Sequence, residues 1–103
     1  MKLDRNIKIN IIKGLQYRLE LLRPDYGNYL RLSDIADVLC YAVYGRPYRS
    51  IKYPALEYDK KVFLNNIYLY LLKKGLFTKS RTGKTLKISD KIVNWKESSQ
   101  MTK

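Results

Sequence analysis

The sequence predicts a mainly helical domain that ends in a small β-hairpin, an α+β class. Three observations lead there. Apolar residues recur at helical spacing in three separate segments. A Thr-Gly pair near the C-terminal end lies between two short apolar runs of strand character. The chain has 103 residues, 46% of them hydrophobic and 29% charged, enough for one modest core and no second.

The first segment, RNIKINIIKGLQYRLELLR at residues 5 to 23, places Ile7, Ile11, Leu15, Leu19 and Leu22 on one helical stripe. Pro24 is expected to end that helix, because the residue before a proline avoids the helical region, and DYGN then turns the chain. Residues 29 to 32, YLRL, alternate and suit one short strand. Ser33 reads as the N-cap of a second helix, with Asp34 at the positive end of its dipole. Ile35, Val38, Leu39, Ala42 and Val43 form its buried stripe, and Gly45 stops it.

Residues 46 to 58, RPYRSIKYPALEY, hold Pro47 and Pro54 and keep no period, which marks a loop with at most one helical turn. Asp59 is expected to cap a third helix, DKKVFLNNIYLYLLKKG, that stops at Gly75. Phe63, Leu64, Ile67 and Leu71 fall on one side of it. Lys61, Val62, Asn65, Asn66, Leu69 and Lys73 fall mostly on the other. In the hairpin that follows, Leu76, Phe77, Leu86 and Ile88 face inward. Its turn is either Thr82-Gly83 or Arg81-Thr82-Gly83 with a bulge, glycine supplying the positive φ in both. Residues 1 to 92 read as a single domain. Residues 93 to 103 read as a polar tail, expected to be disordered. No internal repeat or linker divides the chain.

Lys and Arg number 21 against 9 Asp and Glu, a formal charge of +12. Such an excess on a small body attracts polyanions, nucleic acid first, with an acidic membrane surface or acidic protein as other partners of that chemistry. There is no histidine, and Cys40 is the only cysteine. An internal disulfide, a cysteine-based zinc site and imidazole catalysis are therefore excluded. Cys40 itself reads as a small hydrophobe on the second helix. No secretory segment opens the chain and no apolar run reaches membrane-spanning length. The expectation is an intracellular protein with no membrane, cofactor, metal or small-molecule ligand.

Two passages then carry a resemblance. YLRLSDIADVL looks like a strand leading into a second helix, and LYLLKKGLFTKSRTGKTLKIS like the end of a recognition helix running into a wing. Together with the first helix, residues 5 to 92 resemble a winged helix-turn-helix domain. These are patterns of residue type. The resemblance implies three helices with a two- or three-stranded wing sheet. It also implies a third helix that enters the major groove of double-stranded DNA, a wing on the backbone or minor groove, and a homodimer on two-fold sites. The first helix, Val62 and Leu69, or the segment around Trp95 are the candidate dimer surfaces. One departure is the long turn at 46 to 58, which shifts the start of the third helix.

The residues suit that task independently. Asn can contact adenine bidentately, and Asn65 and Asn66 sit mid-helix, where Asn is a poor helix former. The plain alternative is two solvated polar positions. Lys60 and Lys61 in the first turn oppose the helix dipole and, with Lys73, are candidates for phosphate contact. In the wing, Lys79, Arg81, Lys84 and Lys87 bring like charges together at a cost. Edge lysines also block aggregation, but phosphate or minor-groove contact accounts for the cluster better, with Arg81 best placed to enter a groove. In the long loop Arg46, Tyr48, Arg49, Lys52 and Tyr53 interleave basic and aromatic residues, a pattern that grips phosphates and stacks on bases.

Catalytic readings fail. Gly83-Lys84-Thr85 ends like a phosphate-binding loop, but Thr78 stands where the motif needs its first glycine, and no helix follows. Asp34 and Asp37, one helical turn apart, could hold a metal, yet they serve a helix dipole as simply. Glu57, Asp59 and Lys61 echo a metal-dependent nuclease without the neighbouring strands it needs. The reading is a non-enzyme: a sequence-specific DNA-binding transcriptional regulator. The alternatives are a winged-helix interaction module docking on an acidic protein, and a single-strand or RNA binder using the tyrosine-rich loop.

Overall fold

Ile11, Leu15 and Leu19, four residues apart, are each almost inaccessible and form the seam of α1 (Arg5–Tyr26). The computed structural model describes residues 3–49, 52 and 55–96, with the backbone alone at 23–26. Pro24 does not end α1, contrary to expectation. Its fixed φ is itself helical, so in the last turn it forgoes one i→i−4 hydrogen bond without turning the backbone out of the helix. Gly27, at φ 64°, breaks the helix instead.

The chain then makes β1 (Tyr29–Arg31) and passes directly into α2 (Leu32–Tyr44). The N-cap is Arg31, not Ser33. Asp34 does the capping by turning back, its Oδ2 accepting the Arg31 backbone N–H at 3.2 Å, the carboxylate half of a capping box. Ile35, Val38 and Leu39 are buried as the period required. Gly45, at φ 72°, closes α2 by donating its N–H to the Tyr41 carbonyl.

Leu56 is buried and anchors the approach to α3 (Tyr58–Lys73). The N-cap position belongs to Glu57, whose side chain makes no capping hydrogen bond, so Asp59 is inside the first turn and not its cap. Leu64, Ile67 and Leu71 face the core, whereas Phe63 is 40% exposed. It falls about 100° around the helix from Leu64, on the side away from Tyr68, and so misses the seam.

Phe77–Lys79 (β2) and Thr85–Ile88 (β3) form the hairpin, and β1 adds to its other side, giving an antiparallel sheet in the order β1-β3-β2. Leu30 pairs with Leu86 and Phe77 with Ile88, all buried against the helices. The turn is wider than either expected form. Ser80 N–H donates to Thr85 O at 2.9 Å and Gly83 N–H to Ser80 O at 3.1 Å, leaving 81–84 as the loop. A side-chain bond between Thr85 and Ser80 at 2.9 Å, and Thr82 Oγ1 accepting from Lys84 N–H, hold it.

A last short helix, α4 (Asp90–Val93), is capped by Ser89, whose Oγ accepts the Lys91 N–H. Ile92 is buried, and Gln16 of α1 donates its amide to the carbonyls of both Ile92 and Trp95 at 2.8 Å. The first residues of the expected tail are therefore held on α1; 97–103 lie outside the described residues. The described residues form a mixed α+β fold of four helices and one three-stranded sheet. Among the described residues no helix is long and apolar enough to cross a membrane.

Candidate nucleic-acid interface

Opposite its core seam, α3 presents Val62, Asn66, Leu69 and Lys73, all exposed and spaced along one crest. Lys61 and Asn65 lie on the flank that faces α2, where they line a cleft. The two amides therefore look in different directions. Lys60 is placed differently again. It is half-buried, pairs with Glu57 Oε1 at 3.0 Å and holds its Nζ 5.3 Å from the centre of the Tyr44 ring. Burial raises the Tyr44 phenol pKa, and Lys60 pulls against it. Lys60 thus fastens the start of α3 to the end of α2.

The hairpin register sorts the wing cations. Lys87 pairs with Thr78 on one side and Tyr29 on the other, so these three share the outer, solvent face of the sheet. Lys79 pairs with Leu86 and so belongs to the opposite face, exposed because it stands near the hairpin end. Arg81 and Lys84 are exposed in the connecting loop. The four cations do not share one face. Arg31, paired with Thr85, joins Lys87 and Tyr29 on the outer face. Neither Tyr29 nor Arg31 was among the sequence candidates, although the alternation of YLRL puts both on the face opposite Leu30.

The loop candidates separate as well. Tyr48 is half-buried against the core, and its backbone N–H donates to Asp37 Oδ1 at 2.9 Å. Arg46 is half-buried near Cys40, whose thiol pKa burial pushes up while Arg46 pulls it down. Arg49 is exposed at the mouth of the α2–α3 cleft. Lys52 is exposed, and Tyr53 lies outside the described residues.

Asp34 and Asp37, weighed as a metal pair, are engaged within the fold. Asp34, buried, accepts from Arg18 Nη1 at 3.0 Å and Arg31 Nε at 3.3 Å, and Arg18 Nη2 reaches Asp37 Oδ2 at 3.5 Å. This cluster ties α1, β1, α2 and the loop start together. By contrast the side chains of Arg49, Lys61, Asn65, Asn66, Lys73, Lys79, Arg81, Lys84 and Lys87 make no hydrogen bond or ion pair among the described residues. These groups are available to a partner. No protein-family model, curated protein or solved structure matches the chain. The geometry alone carries the functional reading.

Proposed function

We propose that the chain binds double-stranded DNA sequence-specifically, as a winged helix-turn-helix protein acting in transcriptional regulation. The element order supports that class: helix, strand, helix, helix, hairpin, with β1 completing the hairpin's sheet. One observation carries the function. Apart from Lys60, which pairs with Glu57, the cations and amides on the exposed faces of α3 and in the hairpin loop that follows it have no hydrogen-bond or ion-pair partner among the described residues.

Sixteen residues of α3 span about 24 Å and fit a major groove roughly 12 Å wide. In that docking Asn66 on the crest meets base edges, Lys61 and Lys73 meet phosphates, and Arg81 and Lys84 reach the backbone or minor groove. Fluorescence anisotropy with a labelled duplex tests it. If about five phosphates are neutralised, log affinity falls with log salt at a slope of about −4 to −5. A flat salt profile, or no binding at low salt, removes DNA as the partner. A homodimer on a two-fold site belongs to the same reading, and sedimentation that shows only monomer at every concentration removes it.

A second reading has its own observation. Val62 and Leu69 are 39% and 48% exposed on the crest of α3, and Phe63 is 40% exposed on its flank; apolar surface of that kind also suits docking on a protein, the surrounding cations meeting acidic residues. Failure of duplex binding at low salt, with the fold intact, favours it.

A further inference from the structure

We infer that the cleft between α2 and α3 is a binding site for a small organic anion with a flat, apolar body. The cleft has a volume of about 430 Å³, within the range of small-ligand sites. Its floor is apolar and preformed. Leu39 and Leu64 are buried, and the Tyr68 ring is fixed by stacking on Phe77 at 5.6 Å between centroids. Its rim carries Arg49, Lys61 and Asn65, and no acidic residue lines it.

Charge decides the ligand class. Lys60, one residue from Lys61, is paired with Glu57, but Lys61 and Arg49 have no acidic partner among the described residues. Two unpaired cations and an amide converge over a surface from which an apolar group would displace water. That is the arrangement of a ligand pocket, in which a few placed polar groups orient a mainly apolar molecule. A DNA phosphate can satisfy the rim and leaves the floor wet. An aromatic carboxylate, sulfonate or phosphate ester satisfies both. Because Lys61 also meets a phosphate in the proposed docking, occupancy excludes duplex. That competition rests on the DNA reading; the binding itself does not.

The probe is 1-anilinonaphthalene-8-sulfonate, titrated into protein shown to be folded by near-UV circular dichroism and followed by its fluorescence. The expected result is saturation at one molecule per chain. Arg49→Ala and Lys61→Ala each weaken binding about three- to tenfold, the range for one charge-assisted contact at a partly exposed site. Lys61→Glu weakens it further, and Ala36→Phe, which fills the cleft, removes the signal. Leu21→Ser, on the α1 surface, leaves it unchanged. Fluorescence that survives Lys61→Glu, or that Leu21→Ser removes, overturns the site; because both are surface changes, this holds even if Ala36→Phe fails to fold. A duplex that binds without displacing the probe overturns the competition and leaves the site standing. A duplex that does not bind at all counts against the proposed function only.

Discussion

Asn65 and Asn66 are sequence neighbours that point about 100° apart, one into the α2–α3 cleft and one along the crest of α3. Only a residue that reaches base edges discriminates between sequences, so the two should respond differently to truncation. Asn66→Ala is expected to lose about 1 to 3 kcal/mol on a selected site and almost nothing on random duplex, where binding is phosphate-driven. Asn65→Ala loses less. The ratio of the two affinities at fixed salt checks this; an unchanged ratio in both variants means α3 does not read bases through these amides. Neither change harms the fold, since Ala is the better helix former. At this scale the sequence was legible where chemistry is local. Asp34 at a helix start was visible from its neighbours. Its partner Arg18 comes from another helix, 16 positions away, and no local pattern announces such a pair. The same holds for Lys60, read as a free cation until Glu57 and Tyr44 came to stand around it.

Among the elements, α2 and α3 were legible because a 3.6-residue period survives any detail of packing. The edges of each stripe were not: Phe63 and Leu64 differ by one position, and which one faces inward depends on where α2 and the sheet press. The hairpin was legible as a hairpin, but its loop was set by the Ser80–Thr85 contact across the ribbon, which no turn propensity contains. That loop bears the element's function in the DNA reading. Replacing Arg81 and Lys84 together by Ala should leave the melting transition near that of the parent and flatten the salt slope by about one to two units. Equal binding by the variant assigns those charges to solubility. The contact between α1 and α2 is a second element-scale case. A Cβ on Gly14 would stand 2.9 Å from Val38 Cγ1, and a β-branched side chain in a helix has little freedom to swing aside. Gly14→Ala would gain about 1 kcal/mol in an open helix. Here it is expected to lose about 1 to 2 kcal/mol net by overpacking, measured by urea denaturation; a gain means Val38 yields.

For the whole molecule, one core and a surplus of positive charge were legible from composition, while the closure of the chain was not. Gln16 binds the carbonyls of Ile92 and Trp95 across 76 and 79 positions, so the segment after α4 is fastened to α1. A polar stretch reads as a tail because nothing in it says that a distant amide will take its carbonyls. Gln16→Ala removes two hydrogen bonds to carbonyls that are then left without that partner, and is expected to cost about 1 to 3 kcal/mol. Trp95 emission should shift to the red as its half-buried ring meets water. An unshifted spectrum would show that packing alone holds the segment.

The place of β1 in the sheet has a consequence for how the chain is made. Among the described residues its strand neighbour is β3, itself central between β1 and β2. A ribosome delivers β1 early and β3 late. In the interval α1 and α2 can already meet, through Gly14 against Val38 and Arg18 on Asp34, but Leu30 has no Leu86 to cover it. Pairings between remote parts of a chain form slowly, so docking of β3 on β1 is expected to come late, covering Leu30 and bringing Lys87 beside Tyr29 and Arg31 on the outer face. A nascent chain halted before β3 emerges is expected to hold α1, α2 and α3 with β1 unpaired and Leu30 uncovered.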